Sequence, residues 1–215
     1  LHDALPISNR VPISREICSM AGYTNKTLSS GWEFKQVGAT EVPEWTNGFL
    51  PVAQFPTNVH LDLMAHDKIP DPFIGLNEYK VQWVGEQQWL YRTTFECPSV
   101  SGQKTVLQFD GLDTFAIASL NGTKILEAEN MHRIFRADIT GTVKKGANVL
   151  EILFDSAIIR GKQLMKETGF KPVGFTSSTD KSRLLVRKAQ YHYAWNWGTF
   201  TRSEERRVGK ECGSS

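Results

Sequence analysis

The feature that most limits the fold is a run of short, strand-like segments, each closed by turn residues. Trp32, Phe34 and Gln36 alternate with Glu33, Lys35 and Val37. The 38–58 stretch, with Gly38, Pro43, Gly48, Pro51 and Pro56, reads as a long irregular loop unsuited to a helix. Val59 to Leu63 alternates again and reads as a strand, broken off by Pro70 and Pro72. Trp89 to Phe95 is rich in aromatic and β-branched residues, which suit a pleated, half-buried surface. Thr105–Phe109 ends at Asp110-Gly111. Phe115–Leu120, Asn121-Gly122 and Thr123–Leu126 form a two-residue hairpin, because Asn-Gly supplies the two positive φ angles of a type I′ turn. Ile134–Ile139, Val149–Phe154 and Leu184–Tyr193 complete the set, with a short helix near 162–168. Strands at about ten-residue spacing predict an all-β sandwich, and about eight of them make a jelly roll with little, peripheral helix.

The ends do not fit this pattern. Arg202 to Cys212 is densely charged, aperiodic and follows an aromatic cluster abruptly. Back-translation accounts for it. The DNA word CTACACGACGCTCTTCCGATCT reads as Leu1 to Ile7, and its reverse complement reads as Arg202 to Val208. One word in two orientations closes both ends, and it resembles a widely used short-read sequencing adapter. Residues 1–8 and 202–215 are therefore set aside from fold reasoning. Residues 9–25 form an unpatterned leader without an apolar secretory core, in which Met20 can serve as a start. The domain proper runs over 26–201, and the natural protein is expected to continue beyond it.

Charge and composition exclude several partners. The formal net charge is +2 at pH 7, so neither a nucleic-acid-binding surplus nor an acidic tail is present. No apolar run approaches the ~20 residues of a membrane span. Of the three cysteines, only Cys97 lies inside the domain, which suits a reducing, intracellular compartment. The sequons at Asn25 and Asn121 argue little for secretion, since the hairpin already explains Asn121.

Several groups invite chemistry. Glu78 beside Asn77 resembles an active-site pairing, but glycoside chemistry needs a second carboxylate at set distance, and docking of this segment onto the sandwich, with Glu78 paired to a backbone amide or an Arg, is the better explanation. His60, His66, His132 and His192 lack metal-ligand spacing, so no metal or other cofactor is expected. Gly111-Leu112-Asp113-Thr114 lacks the phosphate-loop lysine and reads as a tight turn with Asp113 bonding the backbone. Ser156, Ser177, Ser178 and Ser182 have no nucleophile-elbow glycines. Trp195-Asn196-Trp197-Gly198 has two readings. Indole faces can stack on sugar rings while Asn bonds hydroxyls, or both Trp are core and Asn196 turns the chain.

One ordered set of motifs narrows the field. Trp32-Glu33-Phe34, Pro70-Asp71-Pro72-Phe73 with Asn77-Glu78, Gln82-Trp83-Val84, Trp89-Leu90-Tyr91-Arg92 and Phe109 to Thr114 come first. Leu120-Asn121-Gly122, Asn130-Met131, Arg187 to His192 and Trp195 to Gly198 follow. Together they resemble the N-terminal domain of β-mannosidases, of the fungal intracellular type, in glycoside hydrolase family 2. The resemblance implies a galactose-binding-like jelly roll, followed in the natural enzyme by an immunoglobulin-like domain and a (β/α)₈ barrel. It implies removal of terminal non-reducing β-D-mannose from oligosaccharides with retention, by two barrel glutamates about 5 Å apart. Neither belongs to this chain, so the resemblance makes it inactive alone and Glu78 structural. It also implies that Trp195, Asn196 and Trp197 form a loop reaching the mannose pocket. The usual pattern there is Trp-Asp-Trp-Gly-Pro, so Asn196 and Thr199 depart from it. The alternative is a free-standing carbohydrate-binding module.

Overall fold

The computed structural model describes residues 24–38, 48–98, 104–170 and 181–193, with 212–214 described for their backbone. Among these residues, ten strands form two antiparallel sheets. They are β1 (Thr24–Lys26), β2 (Trp32–Val37), β3 (Leu50–Pro51), β4 (Gln88–Cys97), β5 (Thr105–Phe109), β6 (Phe115–Leu120), β7 (Thr123–Ala128), β8 (Phe135–Asp138), β9 (Gly146–Asp155) and β10 (Cys212–Ser214). One sheet has the order β3-β2-β4-β9-β6-β7 and the other β1-β10-β5-β8. The sandwich expected from the turn spacing is present. Strand β10 lies within the stretch that reads as adapter-derived, and pairs with both β1 and β5.

The larger sheet is built on the long pair β4 and β9, in register from Trp89↔Phe154 to Cys97↔Gly146. Period-2 alternation buries Trp89, Tyr91, Thr93 and Phe95 from β4, and Asn148, Leu150, Ile152 and Phe154 from β9. The apolar side chains among these meet Leu107, Phe109 and Ala137 of the smaller sheet in one core. Ring packing is dense there. Phe34 stacks on Tyr91 with centroids 5.4 Å apart, and Tyr91 meets Phe154 edge-on at 6.2 Å. Each such buried side chain contributes roughly 1.5–3 kcal/mol through lost water contact. Of the tryptophans, Trp32 and Trp89 are core, and each indole N–H reaches a carbonyl, of Leu28 and Val84.

The hairpin forms as its Asn-Gly turn requires, with φ of 52° at Asn121 and 81° at Gly122. Two segments depart from the sequence expectation. Val59–Ala65 is a helix, α1, rather than a strand. Asn58 caps it by accepting from the Leu61 amide at 3.0 Å, and the buried Val59, His60 and Leu63 share a helical face while Leu61 is exposed. The apparent alternation ignored that cap. The 184–193 stretch is likewise no strand. Residues 181–185 and 190–193 are 3₁₀ turns, joined to the sandwich by a single parallel bridge from Arg187 to Asn130. Lys188 turns inward at that point, which breaks any alternation.

The short helix near 162–168 is the end of a longer one. After the one-turn α2 (Asn77–Lys80), helix α3 runs Ala157–Thr168. Ser156 caps it by accepting from the Ile159 amide and also donates to the Gly85 carbonyl at 2.7 Å. Gly169, at φ 64°, ends it in the left-handed conformation. Among the described residues, no helix is long and apolar enough to cross a membrane.

Candidate functional site

Three segments converge at one end of the sandwich. The β5–β6 connection carries Asp110 to Thr114, the β7–β8 connection carries Asn130 to His132, and the third is 187–192. Backbone contacts bring the last two together. The Met131 amide donates to the Arg187 carbonyl at 3.1 Å, and the Ala189 amide points at the Met131 sulfur at 2.9 Å. The Asn130 side chain shapes its own loop by accepting from the His132 amide at 2.9 Å.

Beneath them sits a buried polar cluster. The Lys188 ammonium donates to Asp113 Oδ2, and Thr114 Oγ1 donates to Asp113 Oδ1. The Lys188 and Asp113 side chains are 0% and 2% exposed, so this is an ion pair removed from water. His192 Nδ1 lies 3.7 Å from the same carboxylate oxygen. His60 enters from α1. Burial first, and then the Lys188 charge, pull its pKa from 6.5 down to about 4. A Val81 carbonyl contact, outside hydrogen-bonding geometry, works weakly the other way. His60 is thus a neutral imidazole at pH 7.

The sequence reading of Asp113 as a simple turn residue missed this partner. Lys188 is remote in sequence, and only its place between Leu184-Leu185-Val186 and Tyr191-His192-Tyr193 hinted at an inward charge. With both oxygens engaged, Asp113 serves as an anchor between the 110–114 and 187–192 segments.

Above the anchor is a cavity of about 490 Å³, lined by Asp110, Gly111, Asp113, Met131, His132, Ala189 and Tyr191. Tyr191 stands 60% exposed on its wall and is braced edge-on against His192, with ring centroids 4.4 Å apart. Asp110 accepts from Gln108 Nε2 at 2.9 Å at the solvent side. Such an arrangement can bind and orient a polar ligand that has an apolar face.

Trp195, Asn196 and Trp197 lie outside the described residues, beginning two positions after Tyr193. Glu78 sits on α2, where its carbonyl accepts from Gln82 Nε2 and Asn77 bonds the Asp71 carbonyl. Asn121 uses its amide on Thr142, Asn148 and Val149, as a structural turn residue. Among the described residues, no three His, Cys, Asp or Glu side chains are placed to hold a metal ion.

This architecture defines an all-β sandwich domain of the jelly-roll class. Residues 32–203 match the family described as the glycosyl hydrolase 2 galactose-binding domain-like family, and the chain belongs to it. It is 52% identical over 172 residues to a β-mannosidase B of Thermothelomyces thermophilus, covering 80% of this chain and 19% of that protein. It is 44% identical over 182 residues to a β-mannosidase B of Aspergillus terreus, covering 83% and 21%. The crystal structure of a β-D-mannosidase from Dictyoglomus thermophilum superposes with a TM-score of 0.74 at 32% identity, covering 88% of this chain and 22% of that one. An exo-chitosanase of Amycolatopsis orientalis, 24% identical with a TM-score of 0.52 over 61% of this chain and 16% of its own, shares the fold alone. The chain spans about a fifth of the length of the curated relatives it matches.

Proposed function

We propose that this chain is the N-terminal domain of a longer exo-acting β-mannosidase, one that removes terminal β-D-mannose with retention. The observation that carries this reading is the 52% identity to a β-mannosidase B over four-fifths of the chain. The family match over residues 32–203 includes the three segments that converge on the Asp113–Lys188 anchor. In this reading the domain has two tasks. It docks against an immunoglobulin-like domain and a (β/α)₈ barrel, and it presents Trp195, Asn196 and Trp197 to the mannose pocket. The catalytic glutamates belong to the barrel, so the chain alone lacks the acid and nucleophile that retention requires. A domain with a single cysteine in its sequence, Cys97, accords with an intracellular setting.

The test has two arms. The 215-residue chain should show no turnover of an aryl β-D-mannoside. The same reading frame, extended by sequencing the transcript past codon 201 and expressed whole, should release mannose as the β anomer. An extended frame that closes at a stop codon, or that hydrolyses no β-mannoside, overturns the proposal.

A further inference from the structure

We infer that the cavity between Gly111, Met131 and Tyr191 is a subsite for a neutral hexopyranose ring. Its preference for a β-mannosyl unit rests on the function proposed above. The argument starts from size. About 490 Å³ falls in the range of roughly 300–1,000 Å³ typical of small-molecule pockets.

Chemistry narrows the ligand. Among the described lining residues, the ionisable side chains are two carboxylates and one imidazole: Asp110, Asp113 and His132. Lys188 faces this region, but its ammonium is engaged by Asp113. An anionic ligand would meet these two carboxylates, and none of the described lining residues is a lysine or arginine. A metal cation would have to displace Lys188 from Asp113, because that carboxylate already serves Lys188 and Thr114. A neutral polyol suits both constraints. Its hydroxyls can donate to the exposed Asp110 carboxylate and exchange hydrogen bonds with the His132 ring.

The apolar part of the wall completes the match. A pyranose presents C–H bonds on one face, and Tyr191 offers an exposed ring while Met131 offers a polarizable thioether. The ring is also preorganised. His192 braces it from behind, and Lys188, three residues earlier, pins its segment to Asp113. An aromatic side chain held this way loses little freedom on binding, which favours even weak ligands. Asp113 is a positioning residue here, while Tyr191, Asp110 and His132 are the contacts.

The experiment uses the 215-residue chain and β-1,4-mannobiose, read by saturation-transfer NMR, which detects weak binding. Transfer to the sugar ring protons is expected. It should weaken roughly threefold to tenfold in Tyr191→Ala, the loss of one aromatic contact. Asp110→Ala should weaken it too, and Ile159→Ala, on the exposed face of α3, should leave it unchanged. Tyr191 and Asp110 are both exposed, and unfolding midpoints check that each variant still folds. Absence of transfer, or equal transfer in the wild type and Tyr191→Ala, overturns the subsite. The glycosidase reading is tested separately, by hydrolysis in the extended frame. An active extended enzyme with a silent cavity removes only this inference. A chain that binds mannobiose beside an inactive extended frame removes only the enzyme reading.

Discussion

Lys188 closes on Asp113 inside the protein, and the two almost wholly buried side chains join segments 75 residues apart in sequence. Breaking such a pair leaves one charge stranded in a poorly polarizable interior. Asp113→Ala or Lys188→Met alone should therefore cost about 3–5 kcal/mol. The double variant should lose clearly less than the sum, because no unpaired charge remains. Urea unfolding of the four proteins checks this, provided the slope stays constant so that midpoints report stability. Additive losses would mean that the charges do not depend on each other.

His60 makes stability depend on pH in a direction its burial fixes. Its folded pKa is lowered from 6.5 to about 4, first by desolvation and then by Lys188. Between those values the unfolded chain binds a proton that the folded chain refuses. Stability should therefore be complete above about pH 6.5, fall as the pH drops, and level off near pH 4 as far as this group is concerned. The total is on the order of 3 kcal/mol. His60→Gln should flatten that part of the profile. Urea midpoints measured across the window distinguish the two slopes.

Gly161 lies where α3 packs on the 181–185 turn. A Cβ there would meet Val186 Cγ2 at 3.0 Å, Ser182 Oγ at 3.1 Å and the Ser182 carbonyl at 3.2 Å. The backbone carbonyl cannot swing aside as a side chain can. Gly161→Ala should gain helix propensity worth up to about 1 kcal/mol and lose more to overpacking, about 1–3 kcal/mol. A net fall in thermal midpoint is expected. A rise would show that the 181–185 turn yields freely.

The longer strands and the hairpin were legible in the sequence because their determinants are local, whereas the two-residue β3 fell in the 38–58 stretch read as a loop. Period-2 burial in β2 and β4 reads directly from Trp32-Glu33-Phe34 and Trp89-Leu90-Tyr91, and Asn121-Gly122 fixes its own turn. The α1 segment was misread because a single cap, Asn58, outweighs a short alternating run. The 187–192 segment was misread for a different reason. Its path depends on Lys188 finding Asp113, a pairing that no local pattern encodes. The candidate cavity shares that fate, since its walls come from three distant segments. The ordered motifs were enough to reveal the family.

Asn148 shows how a buried amide fixes a corner through the direction of its bonds. It is fully buried on β9, where its nitrogen donates to the Lys144 carbonyl at 2.6 Å and the Gly146 carbonyl at 2.8 Å. Its oxygen accepts from the Lys144 amide at 2.8 Å and from Asn121 Nδ2 at 2.9 Å. Asn148→Ala orphans these groups and should cost about 2–4 kcal/mol. Asn148→Asp keeps the shape and both acceptances but turns a carboxylate oxygen toward two carbonyl oxygens. At pH 7 it should be at least as damaging as the alanine. Lowering the pH should recover part of the loss relative to Asn148→Ala, because a protonated carboxyl can donate one of the two missing bonds. Urea midpoints of both variants at about pH 7 and about pH 5 separate the effects. If the Asn148→Asp variant were as stable as the wild type at pH 7, the two carbonyls would not be accepting from this side chain, and the corner would be held by Asn121 alone.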